Sequence, residues 1–223
     1  LAGREFSIGI LCDCDEAVEI KRQADARAEE ISQVQAAWGM LADYYQAHRF
    51  AAWDHEGQPA MDRVWQRCKE YAAAYQRGQR GILLIGSNGT GKSYLVDAMC
   101  SSISRRHNCF VIGGEGPGLF RRLHDSELDF NAILAVPVLG LNDLASIWLN
   151  EWSVDKLAQL FEGRQGKTFL VSMDVNPEAW IAVQPSELLA VRVKRLVSRL
   201  RELCEWIVIP NAAVDYREVI ADR

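Results

Sequence analysis

Long apolar runs are missing from this chain: none reaches the roughly 20 residues that a membrane-spanning helix requires. No secretory signal pattern is visible either. Excess basic charge is also absent. Lys and Arg total 25 against 30 Asp and Glu, a formal net charge of −5. That balance argues against a protein that coats nucleic acid through bulk charge, but it leaves room for a local basic groove, and the cations are mostly Arg. Histidine is scarce: His48, His55, His107 and His124 show no metal-ligand spacing, and all four look ordinary. The six cysteines (Cys12, Cys14, Cys68, Cys100, Cys109 and Cys204) are scattered, which suits reduced thiols in a cytoplasm better than a disulfide framework. Repeats and low-complexity stretches are absent.

What the chain does have is enough apolar residue, 49% of 223, for one α/β domain with an appendage. Its most informative stretch is residues 81 to 94. The apolar run Ile82 to Ile85 predicts a buried strand, and it enters Gly86-Ser87-Asn88-Gly89-Thr90-Gly91-Lys92-Ser93 before a helical pattern begins at Tyr94. Strand, glycine loop and helix in that order form a phosphate-binding P-loop. Small residues let backbone N–H groups turn toward a ligand, and the helix N-terminus adds partial positive charge. Lys92 is placed to reach the β- and γ-phosphates, and the Ser93 hydroxyl to ligate Mg²⁺. Two glycines, a lysine and a Ser or Thr at this spacing arise by chance in about 1% of chains of this length. The predicted ligands are therefore ATP or ADP with Mg²⁺.

Ahead of the P-loop, residues 16 to 48 read as a helix with a stripe at Ile31, Val34, Trp38 and Leu41. After a turn-rich break, a second amphipathic helix is expected from Met61 to Tyr75, with Val64, Cys68, Tyr71 and Tyr75 on one side. Behind the P-loop helix (Tyr94 to Arg106), further strands are expected at Cys109 to Ile112, Ile133 to Leu141, Thr168 to Ser172 and Trp206 to Ile209. Helices are expected between them at Pro117 to Leu123, Ser153 to Phe161 and Ser186 to Leu203. Five strands alternating with helices predict an α/β fold with a parallel sheet covered on both faces. Cys12 and Cys14 can share a metal, but a structural zinc site takes four ligands and none lies near. Either Zn²⁺ draws its other ligands from upstream of Leu1 or these are two free thiols. A first residue other than Met raises the expectation of a longer parent.

Taken together, these residues resemble the replicative helicase loaders of the DnaC/DnaI type, a branch of the AAA+ ATPases that also groups with the transposition helper IstB. Five stretches carry the resemblance. They are Cys12-x-Cys14 with the charged helix after it, Phe50-Ala-Ala-Trp53 with Cys68-Lys-Glu-Tyr-Ala, Gly89-Thr-Gly-Lys-Ser93, Val197-Ser-Arg-Leu-Arg-Glu-Leu-Cys204, and Val214-Asp-Tyr-Arg217. The resemblance implies a remnant of a zinc module over 1–20, a helical lead-in over 21–78 and an AAA+ ATPase domain over 79–223. It implies a hexameric replicative helicase and single-stranded DNA as partners, with self-association through the ATP sites and no membrane.

The resemblance also implies site residues. A carboxylate for Mg²⁺ and a second acid that polarises attacking water are due at the end of the third strand. Asn142 and Asp143 stand there, so the first acid has become a neutral amide and Asp143 is the second acid or takes over the metal. A polar sensor of the γ-phosphate is due at Met173, between Ser172 and Asp174, and Met cannot serve. Both departures imply nucleotide binding with slow hydrolysis. On the helix Val191 to Leu203, Val193, Leu196, Val197, Leu200 and Leu203 form an apolar face. Arg195 and Arg199, four apart on one side, resemble the arginines that reach a neighbour's γ-phosphate; Arg217 is a weaker candidate. Cys12 and Cys14 argue against the transposition helper, whereas Asn142 and Met173 favour a third reading, a non-hydrolysing nucleotide-dependent adaptor. Of the seven tryptophans, Trp38, Trp65, Trp180 and Trp206 read as core. Packing is preferred over a partner contact for Trp148 and Trp152. Arg105-Arg106 and Arg121-Arg122 are surface candidates for phosphate contact.

Overall fold

This computed structural model describes residues 48–53, 59–107, 109 and 111–210, together with Val18, Glu19 and Arg22. In chain order the elements are α1 (Pro59–Ala73), β1 (Gly81–Ile85), α2 (Lys92–His107), β2 (Val111–Glu115), α3 (Gly116–His124), α4 (Phe130–Ala135), β3 (Val138–Asn142), α5 (Glu151–Gly163), β4 (Thr168–Met173), α6 (Pro177–Ala182), α7 (Glu187–Leu203) and β5 (Cys204–Val208). The five strands form one parallel sheet in the order β2-β3-β4-β1-β5. All residues of β1, β3 and β4 are buried, which is why each reads as an unbroken apolar run rather than an alternation.

Two hydrophobic cores lie on opposite faces of that sheet. On one face, Ile82, Leu84, Val138 and Leu170 pack with α1 and α2 through Met61, Cys68, Tyr71, Leu95, Met99 and Ile103. On the other, Leu83, Ile85, Leu139, Leu141, Phe169, Val171 and Met173 pack with α3, α4, α5 and α7. The expected apolar faces of α1 and α7 are all buried. The α/β architecture predicted from the sequence is therefore the observed one. The stripe of residues 31 to 41 lies outside the described residues.

Several expectations are corrected. The run Ile133 to Leu141 is not one strand. Its first part is α4, whose N-cap Asp129 accepts a hydrogen bond from the Asn131 N–H at 2.9 Å, and the strand begins only at Val138. Pro137 has no N–H to give a central ladder and so cannot enter it. Gly140 sits in this strand where α2 crosses closely: a Cβ there would fall 2.6 Å from the Cys100 Sγ. The strand expected at Cys109 starts at Val111 and runs on to Glu115, its Gly113 level with Gly140. The short helix α6 was not expected, although Asn176 caps it and Pro177 opens it. Trp148, expected to pack, is 84% exposed. Trp152 does pack, edge-on to Phe120 with centroids 6.1 Å apart.

Arg164, at the C-terminus of α5, is fully buried. Its guanidinium donates to the carbonyls of Val136 at 2.6 Å, Pro137 at 3.0 Å and Thr168 at 2.5 Å. It thus clamps the entries to β3 and β4, and burial lowers its pKa to about 10. Arg164→Met removes a donor from three carbonyls, of which that of Pro137 keeps the Thr168 N–H at 3.0 Å. We expect a loss of about 3 kcal/mol in urea unfolding, with a lower midpoint and an unchanged slope.

Candidate nucleotide-binding site

Parallel register brings the C-terminal ends of β1, β3 and β4 to one edge. Ile85 is level with Met173, Leu84 with Ser172, and Leu141 with Val171. Ligands of open α/β sheets bind outside this edge. The chain leaves β1 at Gly86, whose N–H donates to the Met173 carbonyl at 3.2 Å. Gly89 and Gly91 take left-handed φ values of +75° and +84°. Gly91 is constrained twice, because a Cβ there would also lie 2.0 Å from the Trp53 ring. The Ser87 carbonyl receives the Thr90 hydroxyl at 2.9 Å and the Lys92 ammonium at 2.7 Å. Ser87 and Asn88 are exposed, whereas Thr90 and Lys92 are buried.

α2 begins at Lys92, and the Leu95 N–H donates to the Gly91 carbonyl at 3.0 Å. The N–H groups of the turn before it have no carbonyl within the helix to reach, and the helix dipole points at the same place. The expected loop residues Gly86 to Ser93 are thus gathered in one turn at the N-terminus of α2. Tyr94, expected with Gly86 to Ser93 among the nucleotide-binding residues, also makes contacts outside the loop. Its hydroxyl donates to the Arg49 carbonyl at 2.8 Å and accepts from the Arg49 N–H at 3.2 Å. Its ring lies 5.0 Å from Trp53 and 5.1 Å from His48. Tyr94 and Trp53 therefore fasten residues 48–53 beside the glycine loop, a contact that motif reading alone does not reveal.

Behind the loop lies a polar chain. Asn142 Nδ2 donates to Asp97 Oδ1 at 3.1 Å, Ser172 Oγ donates to Asn142 Oδ1 at 3.2 Å, and the Asp143 N–H donates to Ser172 Oγ at 3.0 Å. Asp97, Asn142 and Ser172 are buried; Asp143 is half-buried. Asp143 adopts a left-handed backbone (φ 54°, ψ 48°), unusual for a residue with a side chain. Met173, expected at the sensor position, sends its side chain into the core with α5 and α7. The polar residue at the end of β4 that meets Asn142 is Ser172. Asp97 was missed by sequence reading, although an acid inside Leu95-Val96-Asp97-Ala98-Met99, four residues after Ser93, was a legible signal.

Arg195 and Arg199 are not near the loop. α7 packs on the face of the sheet opposite α2. Both arginines line a cleft of about 510 Å³ between α5 and α7, with Arg192, Asp155, Glu162 and Glu202. Arg192 pairs with Asp155. Arg199 pairs with Glu202 at 2.8 Å, and that carboxylate raises the guanidinium pKa further above its ordinary value. Cys12, Cys14 and Arg217 lie outside the described residues. Among the described residues no three His, Cys, Asp or Glu gather as a metal cluster. The Mg²⁺ donors at hand are the Ser93 hydroxyl and the Asp143 carboxylate, oxygen ligands that suit this ion beside phosphates. Among the described residues no helix is long and apolar enough to cross a membrane.

The glycine loop between β1 and α2 at the edge of a parallel sheet makes this a P-loop α/β fold. Among solved structures, the chain is similar to DnaI (TM-score 0.62, 24% identity, 76% of this chain and 95% of that one). It is similar to the DnaC helicase loader (TM-score 0.61, 22% identity, 76% of this chain and all of that one). It is also similar to the replication initiator DnaA bound to AMPPCP and single-stranded DNA (TM-score 0.56, 19% identity, 73% of this chain and 49% of that one). No family model matches the chain, and no curated protein does. The fold is thus that of the DnaC/DnaI-type structures.

Lys92 is the one side-chain cation on the loop itself. Lys92→Ala should weaken ATP binding at least tenfold, about 1.4 kcal/mol, in a fluorescent-nucleotide titration, with the thermal midpoint held within a few degrees.

Proposed function

We propose that this chain is an ATP-binding helicase loader, which delivers or assembles a hexameric replicative helicase on single-stranded DNA and hydrolyses ATP slowly. One observation carries the reading: an anion cradle at Gly86 to Ser93 is set in a fold that spans nearly all of the DnaI and DnaC loader chains. The DnaA structure bound to AMPPCP and single-stranded DNA supports nucleotide and DNA as ligands of such a domain.

In this reading the loop amides and Lys92 grip the phosphates, and Ser93 with Asp143 holds Mg²⁺. The cation neutralises phosphate charge when bound. Asp143, with Asn142 behind it, is the acid left to polarise water. Met173 offers the γ-phosphate no polar group, which favours slow turnover. Arg199 and Arg195 stand on α7, across the sheet from α2. They are suited to a loop on a neighbouring copy, where arginine stabilises transferring charge and reports that ATP is present. ATP then acts as a switch that favours the assembled state. The neutral Asn142 and apolar Met173 also favour the second reading, an adaptor that binds nucleotide without hydrolysis.

Co-purification with a replicative helicase, dependent on ATP and abolished by Lys92→Ala, is the expected result. Capture of a transposase instead would point to the transposition helper, and loss of ATP-dependent binding to single-stranded DNA would favour the adaptor. Arg199→Ala should leave ATP affinity within about twofold and abolish ATP-dependent self-association, read by light scattering. Single-turnover hydrolysis as fast as that of an active AAA+ motor would overturn slow turnover.

A further inference from the structure

Beside the neutral Asn142 the structure does hold a carboxylate, delivered from the opposite direction. Asp97 reaches it from α2 at 3.1 Å, and the two residues are 3% and 2% exposed. Its neighbours along the helix, Leu95, Val96, Ala98, Met99 and Cys100, are all fully buried. A carboxylate in such surroundings is costly unless something favours its charge. Packing alone gives no reason for it.

The orientation of the chain of hydrogen bonds follows from Asp97. An ionised carboxylate only accepts, so Asn142 must turn its NH₂ toward Asp97 and its oxygen toward the Ser172 hydroxyl. An aspartate at position 142 would face Asp97 oxygen to oxygen, and one of the two would have to take a proton. A neutral amide at 142 and an acid at 97 are therefore one choice, not two. The negative charge expected at the end of β3 is kept, moved across the gap onto α2. Asp97 also follows Ser93 by four residues and so lies on the same side of α2, one turn below the hydroxyl placed to hold Mg²⁺.

Resting on the ATP·Mg²⁺ reading above, we infer that Asp97 is the positioning residue that supplies the cation-facing charge Asn142 lacks, acting from behind Asn142 and Ser93. It gives the site its preference for nucleotide with Mg²⁺ over nucleotide alone. It does not touch the phosphates, so the metal-free affinity owes it nothing.

The test measures ATP affinity with Mg²⁺ and in EDTA for four proteins: the parent, Asp97→Asn, Asn142→Asp and the double variant that exchanges the two. The parent should gain at least tenfold from Mg²⁺. Asp97→Asn should lose most of that gain while its EDTA affinity stays within twofold, a split that general damage to the fold would not produce. Asn142→Asp sets two acids together and should lower the thermal midpoint. The exchanged variant should recover both the midpoint and the Mg²⁺ gain. If Asp97→Asn does not fold, the exchanged variant decides alone. A folded Asp97→Asn with the full Mg²⁺ gain, or a folded exchanged variant without it, overturns the inference and leaves the ATP reading standing. A parent that binds ATP in neither condition overturns both.

Discussion

The structure depends on the confinement of β1. Ile82, Leu83 and Leu84 are fully buried, with β4 on one edge and β5 on the other. Gly81 starts the strand where a Cβ would fall 1.6 Å from the Phe169 carbonyl oxygen, and Gly86 ends it where a Cβ would fall 2.8 Å from the Ile209 Cβ. Both ends are thus fixed by close backbone approach. A strand held this way cannot slip by one residue without sending its core-facing side chains to the wrong layers. The glycine loop therefore starts from a fixed point, level with the ends of β3 and β4. Packing on both faces of one strand fixes where the loop starts, and the loop's own glycines and hydrogen bonds to the Ser87 carbonyl shape it from there.

The same edge explains why Asn142, Asp143 and Ser172 behave as a unit. Adjacent parallel strands put Asn142 and Ser172 side by side, and α2 lowers Asp97 onto them. The Asp143 N–H, turned by a left-handed backbone, closes onto Ser172 Oγ. That turn costs of order 1 kcal/mol for a residue with a side chain, and it leads the chain from β3 into the one-turn helix Leu144–Ser146. Three secondary-structure elements are tied by these bonds, one of them the helix that carries the phosphate cradle.

The parts legible in the sequence were those encoded by near neighbours. The glycine loop is a contiguous motif, and the faces of α1 and α7 repeat at helical spacing, so both could be read directly. The unbroken apolar strands were legible because burial on both faces leaves no alternation to misread. The failures have long-range causes. An apolar run does not distinguish a buried strand from a buried helix, so α4 was hidden inside Ile133 to Leu141 until Pro137 is considered as a barrier. Trp148 looks like core by composition, and only the course of the chain exposes it. The buried Arg164 carried no local signal, because its carbonyl partners Val136 and Pro137 lie more than 25 residues upstream. Asn142 looked like a lost charge because Asp97, 45 residues earlier, is its partner.

The placement of α7 bears on whether the molecule can complete its site alone. The sheet separates Arg195 and Arg199 from the loop at Lys92, and side chains do not cross a sheet whose central strands are buried throughout. That placement is the ground on which the proposed function gives these arginines a phosphate on another copy. The pair of Arg199 with Glu202 suits such a role. Both side chains are about half exposed, 44% and 57%, so solvent screens their attraction and the guanidinium exchanges partners readily. A phosphate carries more charge than a carboxylate and accepts the same two-pronged contact. A buried pair would have locked Arg199 in place. In the proposed loader, an exposed pair leaves Arg199 able to turn to a neighbour's nucleotide.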